Sequence, residues 1–178
     1  MKHIALDFRK MSPSQLMHFL TEKHYPSVLH LFERVGMRMP SIVKVNAKQF
    51  PSLHLLEEEY RKLDATAGNQ IKKNIRILFP FIDNLLEEPI HNSEAISALE
   101  FELQDIHDRH MEIRLYLANL SELSHGFNAG LNSSESMKVT FSELHSLEQL
   151  LYRQFYLEDV LLMTKVNQLI SAPLLKAS

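Results

Sequence analysis

Ile96, Leu99, Leu103, Ile106, His110, Ile113, Leu117 and Leu120 follow one another in alternating steps of three and four residues. Only an α-helix brings such positions onto one side, because one turn takes about 3.6 residues. A helix covering this seam reaches about 40 Å, a length suited to a bundle rather than to a compact mixed fold. A second seam of the same kind runs through Leu53, Leu56, Tyr60, Leu63, Ala67, Gln70, Asn74 and Leu78. A third carries Phe141, Leu144, Leu151, Phe155, Glu158 and Leu162. No alternation of strand length interrupts them.

The N-terminal part holds a fourth apolar segment. Ser12-Pro13-Ser14-Gln15 combines a serine N-cap, a proline at the first helical position and a capping-box glutamine. Leu16, Met17, Phe19 and Leu20 follow, then Val28, Leu29, Leu31, Phe32 and Val35. Pro26 predicts a kink or break beside His24, Gly36 a C-cap, and residues 37–51 a connection. The second helix is expected from about Pro51, brought to an end by Pro80 and Glu87-Glu88-Pro89. The third is expected from Asn92 or Ser93, and residues 121–136, polar and holding two of the four glycines, form a loop. A last helix is expected over about 137–170. The reading is an all-α chain: one domain over residues 1–178, an up-and-down four-helix bundle with its core at about 12–170.

Composition removes several function classes. With no cysteine, the chain has no disulfide, thiolate metal site, iron–sulfur ligation or cysteine nucleophile. A net charge of −3 without a basic run gives no footprint for nucleic acid. The start MKHIALDFRK has no apolar signal region, and no stretch approaches the length of a membrane span. A cytoplasmic protein without a membrane or nucleic-acid partner is expected. No glycine-rich phosphate loop, nucleophile elbow or HExxH helix is present, and no residue is assigned a catalytic role.

Polar residues interrupt the seams at mid-helix. Gln70 and Asn74 lie four apart, His107 and His110 three apart, and Gln154 and Glu158 four apart, each pair on one helical face. His24 lies beside the expected break in the first helix. Facing carboxylates and histidines are how helical bundles build internal metal sites. The same polar residues can instead satisfy one another or bound water, and for a single histidine that is the commoner case.

At this point the residues resemble a known family. QIKKNIRILFP, residues 70–80, is similar to the signature H-x-x-x-E-E-x-I-L-F-P of hemerythrin-like (HHE cation-binding) domains, nearest the iron–sulfur-cluster repair branch. His24 in TEKHYPSVL, His107-Asp108 in IHDRHMEIRLYLANLS and residues 154–162, QFYLEDVLL, fit the order of the family's remaining features, over roughly residues 12–166. The resemblance implies a four-helix bundle holding a non-haem di-iron centre, with two bridging carboxylates and histidines from all four helices. Carried over by position, this chain keeps His24, His107 and Glu158 as metal ligands. It departs at Gln70 and Gln154, where the family has histidine, and at Asn74, where the family has a bridging glutamate. His110, Gln70, Asn74 and Gln154 are additional candidate ligands. The retained set suits one iron(II) with open positions, so the expected cofactor is iron, mono- or dinuclear, or none. The function so implied is a metal-binding domain that senses or responds to oxygen, nitric oxide or iron stress, its site partly degraded. The alternative is a metal-free structural or regulatory bundle that acts through a protein partner or a second copy of itself.

Overall fold

A computed structural model describes residues 7–87, 93–131 and 133–174 of the chain. Four long helices account for most of the described residues, with no strand among them. Helix α1 (residues 13–46) consists of an α-helical run Pro13–Phe19, a π-helical turn Leu20–His24 and a second run Tyr25–Asn46. Helix α2 (residues 53–87) is built alike, from Leu53–Lys73, a π-turn Asn74–Leu78 and Phe79–Glu87. Helix α3 is the uninterrupted Ser93–Leu123. Helix α4 (residues 135–174) comprises Glu135–Phe155, a π-turn Tyr156–Leu162 and Met163–Leu174. The stop at Glu88-Pro89 and a start at Asn92 lie outside the described residues.

Local signals set the helix starts. Ser12 accepts from the Gln15 backbone N–H while the Gln15 side chain accepts from the Ser12 N–H, the capping box expected from sequence. Ser134 caps α4 by accepting from the Met137 N–H. The loop between α3 and α4 turns through four successive or near-successive left-handed positions, His125, Gly126, Phe127 and Gly130, with φ of 53°, 71°, 60° and 73°. Glycine takes such values without the Cβ clash that disfavours them elsewhere.

Pro26, Pro40 and Pro80 do not end the helices. The connection expected over 37–51 shrinks to residues 47–52, because α1 runs through Gly36 and Pro40. Gly36 is no C-cap; a Cβ there would lie 3.2 Å from the Tyr60 hydroxyl, so the glycine permits close approach of α1 and α2. Pro26 and Pro80 each stand two residues beyond a π-turn. Tyr25 N–H reaches back five residues to the Leu20 carbonyl, and Phe79 N–H reaches back five to Asn74. Each shifted bond is donated by the residue immediately before the proline, whose own missing N–H interrupts the α-helical ladder at that point. The helix widens where a kink or break was expected at Pro26 and an end at Pro80.

Ties between helices fix the topology. Along α1 and α4, Tyr25 meets Glu158 and Arg34 and Arg38 meet Glu143, so one index rises as the other falls. The same inversion joins α1 to α2 through Tyr60–Phe32 and Asn74–Tyr25, and α2 to α3 through Asn119–Glu59 and Lys73–Asp105. Each of these pairs is antiparallel, giving an up-and-down bundle. The seams supply its core: Leu99, Ile106, Ile113, Leu117 and Leu120 of α3 are buried against Leu56, Leu63, Ala67 and Ile71 of α2 and Leu144, Leu147, Leu151 and Phe155 of α4. No helix among the described residues is long and apolar enough to cross a membrane.

Candidate functional site: a polar centre inside the bundle

Three of the four helices widen into π-turns, and each of those turns contributes a buried polar side chain: His24 from α1, Asn74 from α2 and Glu158 from α4. Such turns recur at functional positions because the extra residue re-aims side chains inward. Asn74 and Glu158 belong to one connected polar centre, while His24 bonds separately to the Leu150 carbonyl. The Tyr25 hydroxyl donates to Glu158 Oε1 over 2.8 Å. Asn74 Nδ2 donates to the Tyr25 oxygen at 3.0 Å and to Glu158 Oε2 at 3.2 Å. Gln70 Nε2 donates to Asn74 Oδ1 at 2.7 Å. From α3, the His110 ring bridges two carboxylates, with Nε2 2.9 Å from Glu158 Oε2 and Nδ1 2.7 Å from Asp159 Oδ1.

The electrostatics follow from burial and from these partners. Burial pushes the His110 imidazolium down, but the hydrogen bonds and charges of Asp159 and Glu158 outweigh it and raise the group to about 9. Both ring nitrogens therefore donate, and the ring carries the positive charge that faces the two carboxylates. Phe155 covers that ring at a centroid distance of 4.5 Å, with the Arg114 guanidinium stacked on the Phe155 ring. Burial, helped by the Arg153 charge, lowers His24 despite the pull of Glu158. Its neutral ring donates from Nε2 to the Leu150 carbonyl at 3.1 Å. The Tyr25 hydroxyl is raised well above its ordinary value, first by burial and then by the Glu158 charge.

Of the residues singled out from sequence, Gln70, Asn74, Gln154, His24, His110 and Glu158 are all buried. His107 is exposed, and it lines an open groove with Glu100, Gln104 and Asp159. Of the expected trio His24, His107 and Glu158, His107 is not at Glu158; the α3 histidine bonded to Glu158 is His110. Position 110 lies on the seam itself, between Ile106 and Ile113, whereas position 107 is turned one step off it. Tyr25 and Asp159 complete the centre and were not singled out. Tyr25 could be read only as the residue before Pro26, and Asp159 only as the neighbour of a seam position.

The donor set does not fit a two-iron centre. Asn74 and Gln70 offer neutral carbonyl oxygens in place of a carboxylate and an imidazole, and the Asn74 oxygen is taken by Gln70. Both His110 ring nitrogens are engaged by carboxylate oxygens in this arrangement. Among the described residues, no group of three or more histidine, aspartate or glutamate side chains is arranged to hold a metal ion. No protein-family model matches the chain, and no curated protein matches it.

Proposed function

We propose that this chain is a metal-free structural or regulatory bundle that works through its surface, its polar centre fixing the helices in register. The observation that carries this reading is the engagement of both His110 nitrogens by Glu158 and Asp159. A protein-borne cation then balances the buried carboxylate where the resembling family places iron. Tyr25 and Asn74 donate to Glu158, and Gln70 donates to Asn74. Buried polar networks of this kind favour one helix arrangement over its neighbours, because any slip leaves charged groups unpaired.

The surface supports an interaction role. Phe101, Met111 and Leu115 expose 70%, 55% and 59% of their area on α3. Spacings of ten and four residues bring them to one outer side of that helix. The test combines metal analysis of protein expressed with added iron and light scattering with pull-downs of the purified chain. The reading expects iron far below one equivalent and a self-associated or partner-bound state. One or two equivalents of iron surviving chelator dialysis would overturn it.

A second reading keeps the family's chemistry: a hemerythrin-like iron-binding domain that responds to oxygen, nitric oxide or iron stress. The convergence of Asn74, Gln70, Glu158 and His110 at one level of the bundle favours it. The same metal analysis separates the two.

A further inference from the structure

Gln154 is the one buried candidate residue whose side chain is left over. It is 0% exposed, and neither Oε1 nor Nε2 has a hydrogen-bond partner in the protein. A primary amide carries two donors and an acceptor, and native proteins almost always satisfy such groups when they are buried. Gln154 lies one turn before Glu158 on the same side of α4. The Glu158 carboxylate is nearly saturated: Oε2 accepts from Asn74 and His110, while Oε1 accepts from Tyr25 alone. A carboxylate has about four acceptor directions, so Oε1 keeps one.

We infer that the centre of the bundle is a binding site for a neutral, water-sized hydrogen-bonding ligand held between the Gln154 amide and Glu158 Oε1. The ligand must donate to a carboxylate and both donate to and accept from an amide, which is the chemistry of water. It need bring no charge, because the His110 ring nitrogens already face Glu158 Oε2 and Asp159 Oδ1 at 2.9 and 2.7 Å. It is small because Leu151, Phe155 and Leu157, all fully buried, flank Gln154 along α4. The π-turn Tyr156–Leu162 begins two residues after Gln154, so the α4 backbone departs from a regular α-helix between Gln154 and Glu158. This inference rests on the metal-free reading.

The test is a high-resolution crystal structure of the full chain with anomalous data at the iron edge. Water-oxygen magnetic relaxation dispersion on the wild type and on Gln154→Leu and Gln154→Met accompanies it. The expected result is one density peak within about 3 Å of both Gln154 and Glu158, without anomalous signal. The dispersion amplitude should fall by one long-lived water in each variant. A Gln154 amide bonded directly to protein groups, a dry centre, or unchanged dispersion in the variants overturns the inference alone. An anomalous peak at metal–ligand distance overturns the metal-free reading and this inference with it. Should both variants fail to fold, the wild-type density still decides.

Discussion

His110 Nε2 and Glu158 Oε2 stand 2.9 Å apart in the buried centre of the bundle, 48 residues apart in the chain. On its other edge the same ring holds Asp159, the immediate neighbour of Glu158, at 2.7 Å. Consecutive residues of an ordinary α-helix point about 100° apart. Glu158 and Asp159 lie in a π-turn, whose larger circuit lets neighbours diverge less. The widened backbone and the bridged imidazolium therefore belong to one device.

Removing that cation should be among the most damaging single changes in the protein. His110→Ala leaves Glu158 buried with an uncompensated charge, a class of change that costs about 3–5 kcal/mol. Urea titration should show the midpoint falling with little change in slope. A loss below about 1 kcal/mol would mean that the bridge is not formed in solution.

Stability should peak near neutrality and decline on both sides. His110 is raised in the fold to about 9, so its contribution is complete below the unfolded value of about 6.5 and is lost as pH rises through 9. The shift corresponds to about 3 kcal/mol across that alkaline limb. His24 is lowered in the fold, so its contribution is complete above about 6.5 and is lost as pH falls below it. Glu158, Arg153, Asp159 and Tyr25 are the charged or titratable groups acting on these two rings or bonded beside them. Melting temperature measured from pH 5 to 10 checks both limbs, and His110→Gln should flatten the alkaline one. A wild-type profile level from pH 6.5 to 9.5 would remove the imidazolium from the account.

Much of this arrangement was legible in the sequence, for identifiable reasons. The three- and four-residue seams gave four helices, and Gln70, Asn74, Gln154 and Glu158 interrupted them at positions that prove buried. Pro80 misled, since it follows a widened turn rather than ending the helix, and Pro26 likewise follows a widened turn rather than a break. Proline's missing N–H signals a disturbed ladder but not whether the helix stops or inserts a residue. The choice between His107 and His110 turned on a single step around α3. The seam pattern favoured His110, whereas the likeness to a family motif favoured His107. Packing decided for the seam, because the apolar stripe sets the rotation of the whole helix.

Away from the centre, Glu143 of α4 accepts hydrogen bonds from both Arg34 and Arg38 of α1. The carboxylate is 9% exposed while the guanidinium groups are 40% and 35% exposed, so solvent screens part of the attraction. Glu143→Ala should cost about 1–2 kcal/mol, with the loss reduced in high salt. Double-mutant cycles with Arg34→Ala and Arg38→Ala measure the coupling. Additive losses would show that the clamp contributes no interaction energy.

The two helical glycines give opposite expectations for the same substitution. Gly68 lies inside α2, and a Cβ added there meets nothing within 4 Å. Gly68→Ala should therefore stabilise by about 0.5–1 kcal/mol, the difference in helix propensity together with the reduced freedom of the unfolded chain. Gly36 lies inside α1 with the Tyr60 hydroxyl 3.2 Å from the position of a Cβ. That hydroxyl is held in place by donating to the Phe32 carbonyl, and the Tyr60 ring is buried. An added methyl must displace a group that cannot rotate away, so Gly36→Ala should lose the propensity gain and destabilise by about 1 kcal/mol. Tyr60→Phe removes the obstructing oxygen. In that background Gly36→Ala should become neutral or stabilising. Thermal denaturation of the two single alanine variants and the Gly36→Ala, Tyr60→Phe double variant settles the point, and equal gains at both glycines would show that α1 and α2 do not approach this closely.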